Sequence, residues 1–207
     1  MKLFPLYAIV DQQTAECCGW SVPDLAQSYL SGGARLLQLR VGSATSSQFL
    51  IWCDQVVEMA RPYDARVVVN NRADLALLGD ADGVHVGQTD LDVREIREML
   101  PVSSIVGLST HTVEEVAAAE SEDVSYIAVG PVYPTRTKDG KYPAVGLPLV
   151  KHASQVQRRP VVAIGGITLE RAGDVLAAGA SSVAVVSDLL VNNDPERRVS
   201  DYIERLA

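Results

Sequence analysis

Short polar clusters recur along the sequence, and each of them follows a run of apolar residues. Arg40 and Lys138 supply cations, and Asp90 supplies a hard oxygen ligand. The adjacent Gly165 and Gly166 can turn backbone N–H groups toward a phosphate. These residue types together suit a phosphorylated substrate that is bound with Mg²⁺. The candidate residues are Gln38, Arg40, Asn70, Asn71, Asp90, Ser109, His111, Thr135, Thr137, Lys138, Gly166, Val186 and Ser187.

Several of these residues also have a purely structural interpretation. Arg40 alone is equally typical of a solvated charge at a strand end, and a glycine pair is also typical of a tight turn into a helix. His111 lies where either helix capping or chemistry is expected. His85 lies inside an apolar run, where a hydrogen-bonded structural histidine is the commoner finding. The position of each residue in the fold therefore decides between these interpretations.

The elements that must position these clusters follow from the hydrophobic pattern. Apolar runs rich in Val and Ile alternate with helical periodicity at a spacing of about 25 residues, which indicates repeated βα units. We predict strands at 6–10, 35–40, 66–70, 83–86, 104–109, 126–130, 161–165 and 182–186. We predict helices near 22–31, 46–60, 72–79, 92–100, 112–120, 147–155, 168–178 and 195–206.

This succession predicts an α/β protein, a closed (β/α)₈ TIM barrel that forms a single domain over residues 1–207. Binding and catalytic residues of such barrels lie at the carboxyl ends of the strands, so the polar clusters are expected to meet at one mouth. A glycine pair after the seventh strand and a polar end to the eighth strand are the usual phosphate site of this fold. The long connection 131–146 is expected to be functional, because long loops in compact domains usually are.

Charge and cysteine content limit the partners and the compartment. The formal net charge of −8 disfavours binding to nucleic acid or to an anionic membrane, so an anionic substrate must meet a local cationic pocket. No apolar run approaches the roughly 20 residues of a spanning helix. Cys17, Cys18 and Cys53 fit neither a disulfide framework nor a zinc site. We expect a cytoplasmic protein that binds small phosphorylated molecules; the pattern specifies no oligomeric state.

Six segments resemble the thiamine phosphate synthase family in order and spacing. They are LLQLR at 36–40, NNRADLAL at 70–77, ADGVHVGQTDL at 81–91, GLSTH at 107–111, GPVYPTRTK at 130–138 and VAIGGI at 162–167. The resemblance runs from about Leu6 to Leu190. It implies a barrel that joins a hydroxymethylpyrimidine diphosphate to a thiazole phosphate and releases pyrophosphate, with Mg²⁺ as cofactor. A thiazole tautomerase is a close relative on the same barrel.

The resemblance also implies a role for each matching residue. Gln38 and Ser109 would contact the pyrimidine. Its diphosphate would be bound by Arg40, Asn70 and Lys138, and Mg²⁺ would be bound by Asp90 together with Asn71. Fixed positive charge on the leaving pyrophosphate would lower the barrier to ionisation. The thiazole phosphate would be held by Thr135, Thr137, Gly166, Val186 and Ser187.

Two positions depart from the family pattern. The family usually has Arg-x-Lys where this chain has Arg40, Val41 and Gly42, so one pyrophosphate cation is absent. The family has an aspartate where this chain has Asn71, which offers a carbonyl oxygen but no charge. Two explanations are open. Either Arg72, Arg136 or Lys141 replaces the lysine, or the pyrophosphate half of the site is being lost while the thiazole phosphate half is kept, as in a tautomerase-like relative.

Three functional hypotheses follow. The first is a thiamine phosphate synthase, because Asp90 and the segment 135–138 are retained. The second is a thiazole tautomerase in which His111 serves as the acid/base. The third is a barrel that binds a phosphorylated ligand without catalysis, because a fold alone does not specify a function.

Overall fold

The strands of this protein close into a barrel. The computed structural model describes residues 3–135 and 142–207, in which eight parallel strands pair in chain order and the first strand also pairs with the last. The predicted (β/α)₈ architecture is therefore confirmed. The strands are β1 (Leu6–Asp11), β2 (Leu36–Arg40), β3 (Arg66–Asn70), β4 (Gly83–Val86), β5 (Ile105–Thr110), β6 (Tyr126–Val129), β7 (Val161–Ile164) and β8 (Ser182–Val185).

Helices surround the strands, and none of those in the described part of the chain is long and apolar enough to cross a membrane. The α-helices are α1 (Gln12–Cys17), α2 (Val22–Ser31), α3 (Ser46–Ala60), α4 (Ala73–Leu78), α5 (Val93–Met99), α6 (Val113–Ala118), α7 (Gly146–Val156), α8 (Leu169–Ala177) and α9 (Pro195–Leu206). Short 3₁₀ segments cover Arg61–Tyr63, Ala119–Ser121 and Ser187–Asn193.

Local capping explains where several helices begin. The Ser21 side chain accepts a hydrogen bond from the backbone of Asp24 at the start of α2, and Asp92 accepts one from Arg94 at the start of α5. Such side chains satisfy N–H groups that lack a partner in the first helical turn. Thr112 likewise caps α6, but the Glu115 carboxylate accepts from the backbone of His111 rather than from that of Thr112.

The barrel separates two apolar regions because alternate residues of each strand face opposite sides. Leu6, Ala8 and Val10 pack with the helices in the larger, outer core. Tyr7 and Ile9 point into the barrel and join a small inner core. Every residue of β1 is nonetheless buried, because helices cover the outside of the strand and other strands enclose its inside.

Three elements were not predicted, and one of them is the short 3₁₀ segment Arg61–Tyr63 after α3. Helix α1 follows β1 directly, because Asp11 ends the strand and accepts a hydrogen bond from the backbone of Thr14 at 2.9 Å. The 3₁₀ segment Ser187–Asn193 follows β8, and Val191 and Asn192 interrupt its helical geometry. All of the predicted helices and strands are present, with ends that differ from the prediction by a few residues.

Candidate active site

A cavity of about 350 Å³ opens at the carboxyl ends of the strands. Residues from strands on all sides of the barrel line it, which is the place where barrel enzymes bind their substrates. The predicted residues that line it are Gln38, Arg40, Asn70, Ser109, His111, Thr135, Gly166, Val186 and Ser187. The structure thus brings together most of the sequence-predicted site, while Thr137 and Lys138 lie outside the described residues.

The floor of the cavity is a row of hydrogen-bonded side chains. The Gln38 amide nitrogen donates to the Tyr7 hydroxyl at 3.0 Å, and that hydroxyl lies 3.1 Å from the hydroxyl of Tyr126. Tyr126 continues to Nδ1 of His85 at 3.0 Å, and Nε2 of His85 lies 2.9 Å from the Ser109 hydroxyl. His85 is a hydrogen-bonded histidine inside β4, as the sequence predicted, and it also lines the cavity.

Burial controls the protonation of the two phenols in this row. Tyr7 and Tyr126 are inside the barrel, and removal from water raises the pKa of both phenols far above the ordinary value. Hydrogen bonding with Tyr126 and with Gln38 offsets part of this effect at Tyr7. Both residues consequently carry their protons near neutral pH and act as neutral hydrogen-bonding groups.

The cationic side of the cavity is built on an ion pair. The Arg40 guanidinium lies 2.5 Å from the carboxylate of Asp11, whose side chain is 4% exposed. The two residues are aligned on the neighbouring strands β1 and β2. Asp11 therefore holds the guanidinium in place at the cavity wall. The sequence reasoning missed this carboxylate, although its position at the end of the first strand was a usable signal.

The predicted metal ligands lie at the exposed rim rather than in the cavity wall. The Asn71 amide nitrogen donates to one oxygen of Asp90 at 2.6 Å, and the backbone of Gly87 donates to the other oxygen at 2.8 Å. Asn71 and Asp90 are both exposed. Residues 3–135 and 142–207 contain no group of three or more His, Cys, Asp or Glu side chains placed to hold a metal ion.

This rim nevertheless fits Mg²⁺ that a phosphate would share. Mg²⁺ takes oxygen ligands, keeps several waters, and is commonly held by one or two carboxylates together with substrate phosphates. Asp90 supplies one carboxylate with unused lone pairs, and the amide oxygen of Asn71 lies on a neighbouring side chain. Asp90 and Asn71 alone supply too few ligands to surround Mg²⁺. Their oxygen atoms suit a site in which the substrate phosphates supply further ligands.

The loops after β7 and β8 form the side of the cavity where we predicted a phosphate site. Gly165 and Gly166 have φ angles of 102° and 61°, a conformation that favours glycine. A Cβ on Gly165 would lie 2.6 Å from Cα of Pro131, so the close approach of two loops also requires glycine there. Gly166, Thr135 and Ser187 border both the cavity and an adjoining groove.

Asp188 connects this side of the cavity to the surrounding helices. Its carboxylate accepts from the backbone of Leu169 at the start of α8 at 3.1 Å. It also accepts from Arg198 at 2.7 Å and from the Tyr202 hydroxyl at 2.7 Å, both on α9. The side chain of Asp188 is only 12% exposed. We call the contacts of Asp188 with Leu169, Arg198 and Tyr202 the Asp188 clasp. It joins the segment that begins with Ser187 to α8 and α9.

His111 follows β5 and lines the cavity at its mouth. Its Nδ1 is 2.6 Å from the carbonyl oxygen of Gly130, which can only accept, so Nδ1 carries a proton. In the neutral ring Nε2 is then the acceptor. The ring also stacks on Tyr142, with centroids 3.8 Å apart and planes inclined by 11°.

Arg72 is one of the cations proposed to replace the missing lysine, and it already forms an ion pair. Its guanidinium contacts Asp74 at 2.5 Å and also donates to the hydroxyl of Ser46. Hydrogen bonding to Arg72 is the largest cause that lowers the pKa of Asp74, so Asp74 stays ionised beside the guanidinium. Arg72 thus has a partner of opposite charge, and Arg136 and Lys141 lie outside the described residues.

Comparison with known proteins points to one family. A family model described as thiamine monophosphate synthase matches residues 6–189. A thiamine-phosphate synthase of Methanospirillum hungatei is 42% identical over 189 residues, 91% of each chain, and one of Koribacter versatilis is 38% identical over 100% of this chain and 97% of its own. The solved thiamine phosphate pyrophosphorylase of Pyrococcus furiosus has a TM-score of 0.89 at 29% identity, covering 97% of this chain and 94% of that one.

Proposed function

The chain belongs to the thiamine monophosphate synthase family, and on that premise we propose that it condenses hydroxymethylpyrimidine diphosphate with thiazole phosphate. The products are thiamine phosphate and pyrophosphate. The observation that carries the proposal is the convergence of a cation, a phosphate-type loop pair and a polar floor on one cavity. The relatives named above, which this chain covers nearly end to end, support the same reaction.

The pyrimidine diphosphate occupies the side of the cavity near β2 to β5 in this proposal. Gln38 and Ser109 contact the pyrimidine ring, and Asn70 binds its diphosphate. Arg40 binds the leaving pyrophosphate as the bond between its oxygen and the pyrimidinylmethyl carbon breaks. The electron pair of that bond goes to pyrophosphate, so a guanidinium held in place by Asp11 stabilises the charge that develops. Lys138 is proposed for the same task.

Thiazole phosphate occupies the other side of the cavity. Thr135, Thr137 and the backbone of Gly166, Val186 and Ser187 hold its phosphate. The thiazole nitrogen then attacks the electron-deficient carbon. Water must be kept away from that carbon, because it would otherwise compete with the thiazole nitrogen.

Mg²⁺ is part of the proposal as a cofactor that neutralises pyrophosphate charge. Asp90 and Asn71 would hold it, and the pyrophosphate would supply further oxygen ligands. Because this site has one carboxylate, Mg²⁺ is expected to bind weakly to the protein alone and more tightly with the diphosphate substrate. The reaction is proposed to run in the reducing cytoplasm, which agrees with cysteines that form no disulfide.

An assay with both substrates tests the proposal. We expect purified protein to form thiamine phosphate and pyrophosphate in equal amounts when Mg²⁺ is present, and chelation of the metal to stop the reaction. Asp90→Ala should lower turnover strongly, whereas Asp92→Ala, which removes only the cap of α5, should not. Failure to form thiamine phosphate by a protein that binds both substrates would contradict the proposal.

A second outcome would favour the tautomerase hypothesis. The His111 ring offers Nε2 as a base, because Nδ1 donates to the Gly130 carbonyl oxygen. If the protein isomerises a thiazole phosphate without any pyrimidine, and His111→Ala abolishes that activity, His111 is the acid/base of a tautomerase. Binding of the phosphates with neither activity would instead indicate a ligand-binding barrel.

A further inference from the structure

The row of side chains on the cavity floor costs stability unless every member is paired. Tyr7 and Tyr126 are 1% and 0% exposed, in a barrel interior that other barrels fill with branched apolar residues. Burying a polar group without a partner costs about 1–3 kcal/mol, so such groups are kept in hydrogen-bonded sets. The paired row connects Gln38 on β2 with Ser109 on β5, two residues that line the cavity.

Gly107 permits this connection across a strand. It lies on β5 between His85 on β4 and Tyr126 on β6, and the three residues are aligned in register. A Cβ on Gly107 would overlap the Tyr126 ring and would lie 2.6 Å from Nδ1 of His85. With hydrogen there, the two rings stack with centroids 5.6 Å apart and planes inclined by 11°.

The row has a direction because each hydroxyl carries one proton. The Gln38 amide nitrogen donates to Tyr7, and the Tyr7–Tyr126 and Tyr126–His85 Nδ1 contacts are 3.1 and 3.0 Å long. Because each phenol has one proton to donate, we infer that Tyr7 donates to Tyr126 and that Tyr126 donates to Nδ1 of His85. Nε2 of His85 is then the protonated nitrogen and donates to the Ser109 oxygen. Two consequences follow at the ends of the row. The Gln38 amide offers its oxygen as an acceptor, and the Ser109 hydroxyl keeps its proton for another acceptor.

We propose that Tyr7, Tyr126 and His85 are positioning residues that set the hydrogen-bonding direction of Gln38 and Ser109. The cavity thereby accepts a hydrogen bond on its β2 side and donates one on its β5 side. The ligand class that matches is a heteroaromatic ring with an exocyclic amine at one edge and a ring nitrogen lone pair at another, which an aminopyrimidine provides. This inference rests on the proposed function and specifies how the pyrimidine side of the cavity distinguishes an aminopyrimidine from rings with a different hydrogen-bonding pattern.

A pair of pyrimidine ligands tests this direction. The probes are hydroxymethylpyrimidine monophosphate, which carries the amine, and its oxo analogue, in which the amine and the neighbouring ring nitrogen become a carbonyl and an N–H. Calorimetry without thiazole phosphate measures binding of each probe and requires no turnover. The proteins are wild type, Tyr126→Phe, Tyr7→Phe and, as a matched control, Tyr29→Phe. The Tyr29 hydroxyl is buried and has no hydrogen-bond partner in the described part of the chain.

Wild type is expected to prefer the amine probe by roughly a hundredfold or more, because a site built to pair with polar groups rejects a reversed pattern. Tyr126→Phe and Tyr7→Phe should reduce that preference by at least roughly tenfold, since Gln38 and Ser109 can then reorient toward the oxo probe. Tyr29→Phe should retain the full preference. A change in preference separates positioning from a loss of stability, which would weaken both probes equally.

Three results would overturn the inference. One is an unchanged preference in folded Tyr126→Phe and Tyr7→Phe, and another is an equal loss of affinity for both probes. The third is loss of folding in both variants, measured by circular dichroism, which would assign the hydroxyls to stability instead. In each of these cases the synthase proposal still stands if wild type binds the amine probe. If wild type binds neither probe, the proposed function itself is wrong.

Discussion

At the scale of single residues, the position of Arg40 depends on Asp11. Asp11→Asn removes the charge that faces the guanidinium and weakens the cap of α1. We expect a rise in KM for the pyrimidine diphosphate and a loss of about 1–3 kcal/mol in the free energy of unfolding, because a buried ion pair loses one partner while Arg40 remains partly hydrated. Steady-state kinetics and urea unfolding measure both effects.

The control for this prediction is Asp54→Asn on the exposed surface of α3. It makes the same chemical change at a carboxylate that has no ion pair among residues 3–135 and 142–207, so both KM and stability should stay at wild-type values. A folded Asp11→Asn protein with unchanged KM would show that Arg40 does not need its partner to bind the substrate.

The departure at Asn71 leads to a second prediction at this scale. The Asn71 amide donates to Asp90, whereas Asn71→Asp would place two carboxylates together that repel each other without a cation. We expect the variant to be less stable than wild type in chelator and to gain affinity for Mg²⁺ by about tenfold, because the ion then meets two charges. Unfolding curves with and without Mg²⁺ measure this.

Asn71→Ser is the matched control, because it also removes the amide but adds no charge. It should not tighten Mg²⁺ binding. If Asn71→Asp leaves the Mg²⁺ dependence of both stability and turnover unchanged, the rim of β3 and β4 is not the metal site.

At the scale of elements, the Asp188 clasp joins the segment after β8 to α8 and α9. Asp188→Asn cannot satisfy both Arg198 and Tyr202 as the carboxylate does, and it removes the charge beside the guanidinium. We expect a loss of about 2–4 kcal/mol in the free energy of unfolding, close to that for breaking a buried pair. Affinity for thiazole phosphate should fall as well, because Ser187 is the adjacent residue.

Asp174→Asn on the exposed side of α8 is the control for the clasp. Its stability and its affinity for thiazole phosphate should match wild type. The clasp would be irrelevant to the phosphate side if Asp188→Asn lowered stability but left thiazole phosphate affinity, measured by calorimetry, unchanged.

At the scale of the whole molecule, buried acidic groups predict loss of stability in alkali. Burial raises the pKa of the Cys53 thiol from its ordinary value of 9.0 to about 12, and it raises the pKa of the Tyr29 and Tyr202 phenols above their ordinary value of 10.0. The unfolded chain therefore loses these protons at a pH where the folded chain keeps them. Stability is fully present below about pH 9 and falls as pH rises.

Each such group contributes a fall of about 1.4 kcal/mol per pH unit once its unfolded form is ionised. We expect the denaturant midpoint to be flat from pH 7.5 to 8.5 and to decline through pH 10.5. Tyr29→Phe removes one of these groups, so its decline above pH 10 should be shallower than that of wild type. Equal slopes for the two proteins would contradict this assignment.

The amino-acid sequence by itself was sufficient to predict the barrel and most of the residues in the cavity wall. The alternation of apolar runs and helical periodicity predicted eight βα units, and the rule that barrel sites lie at strand ends placed Gln38, Ser109 and Ser187 together. This worked because periodicity and turn residues are local properties of a chain. The family resemblance was confirmed by the family model over residues 6–189.

Only the tertiary structure showed which residues of each strand face inward. In β1 every residue is buried, because helices cover one face and the barrel encloses the other, so alternation of polar and apolar residues is lost. In the sequence, Tyr7 therefore looks like any other residue of a buried strand, and only its place at the strand end distinguishes Asp11. The folded barrel brings Tyr7 into contact with Gln38 and Tyr126, and Asp11 into contact with Arg40, although these partners are far apart in sequence. Their contacts depend on strand register, which no local pattern encodes.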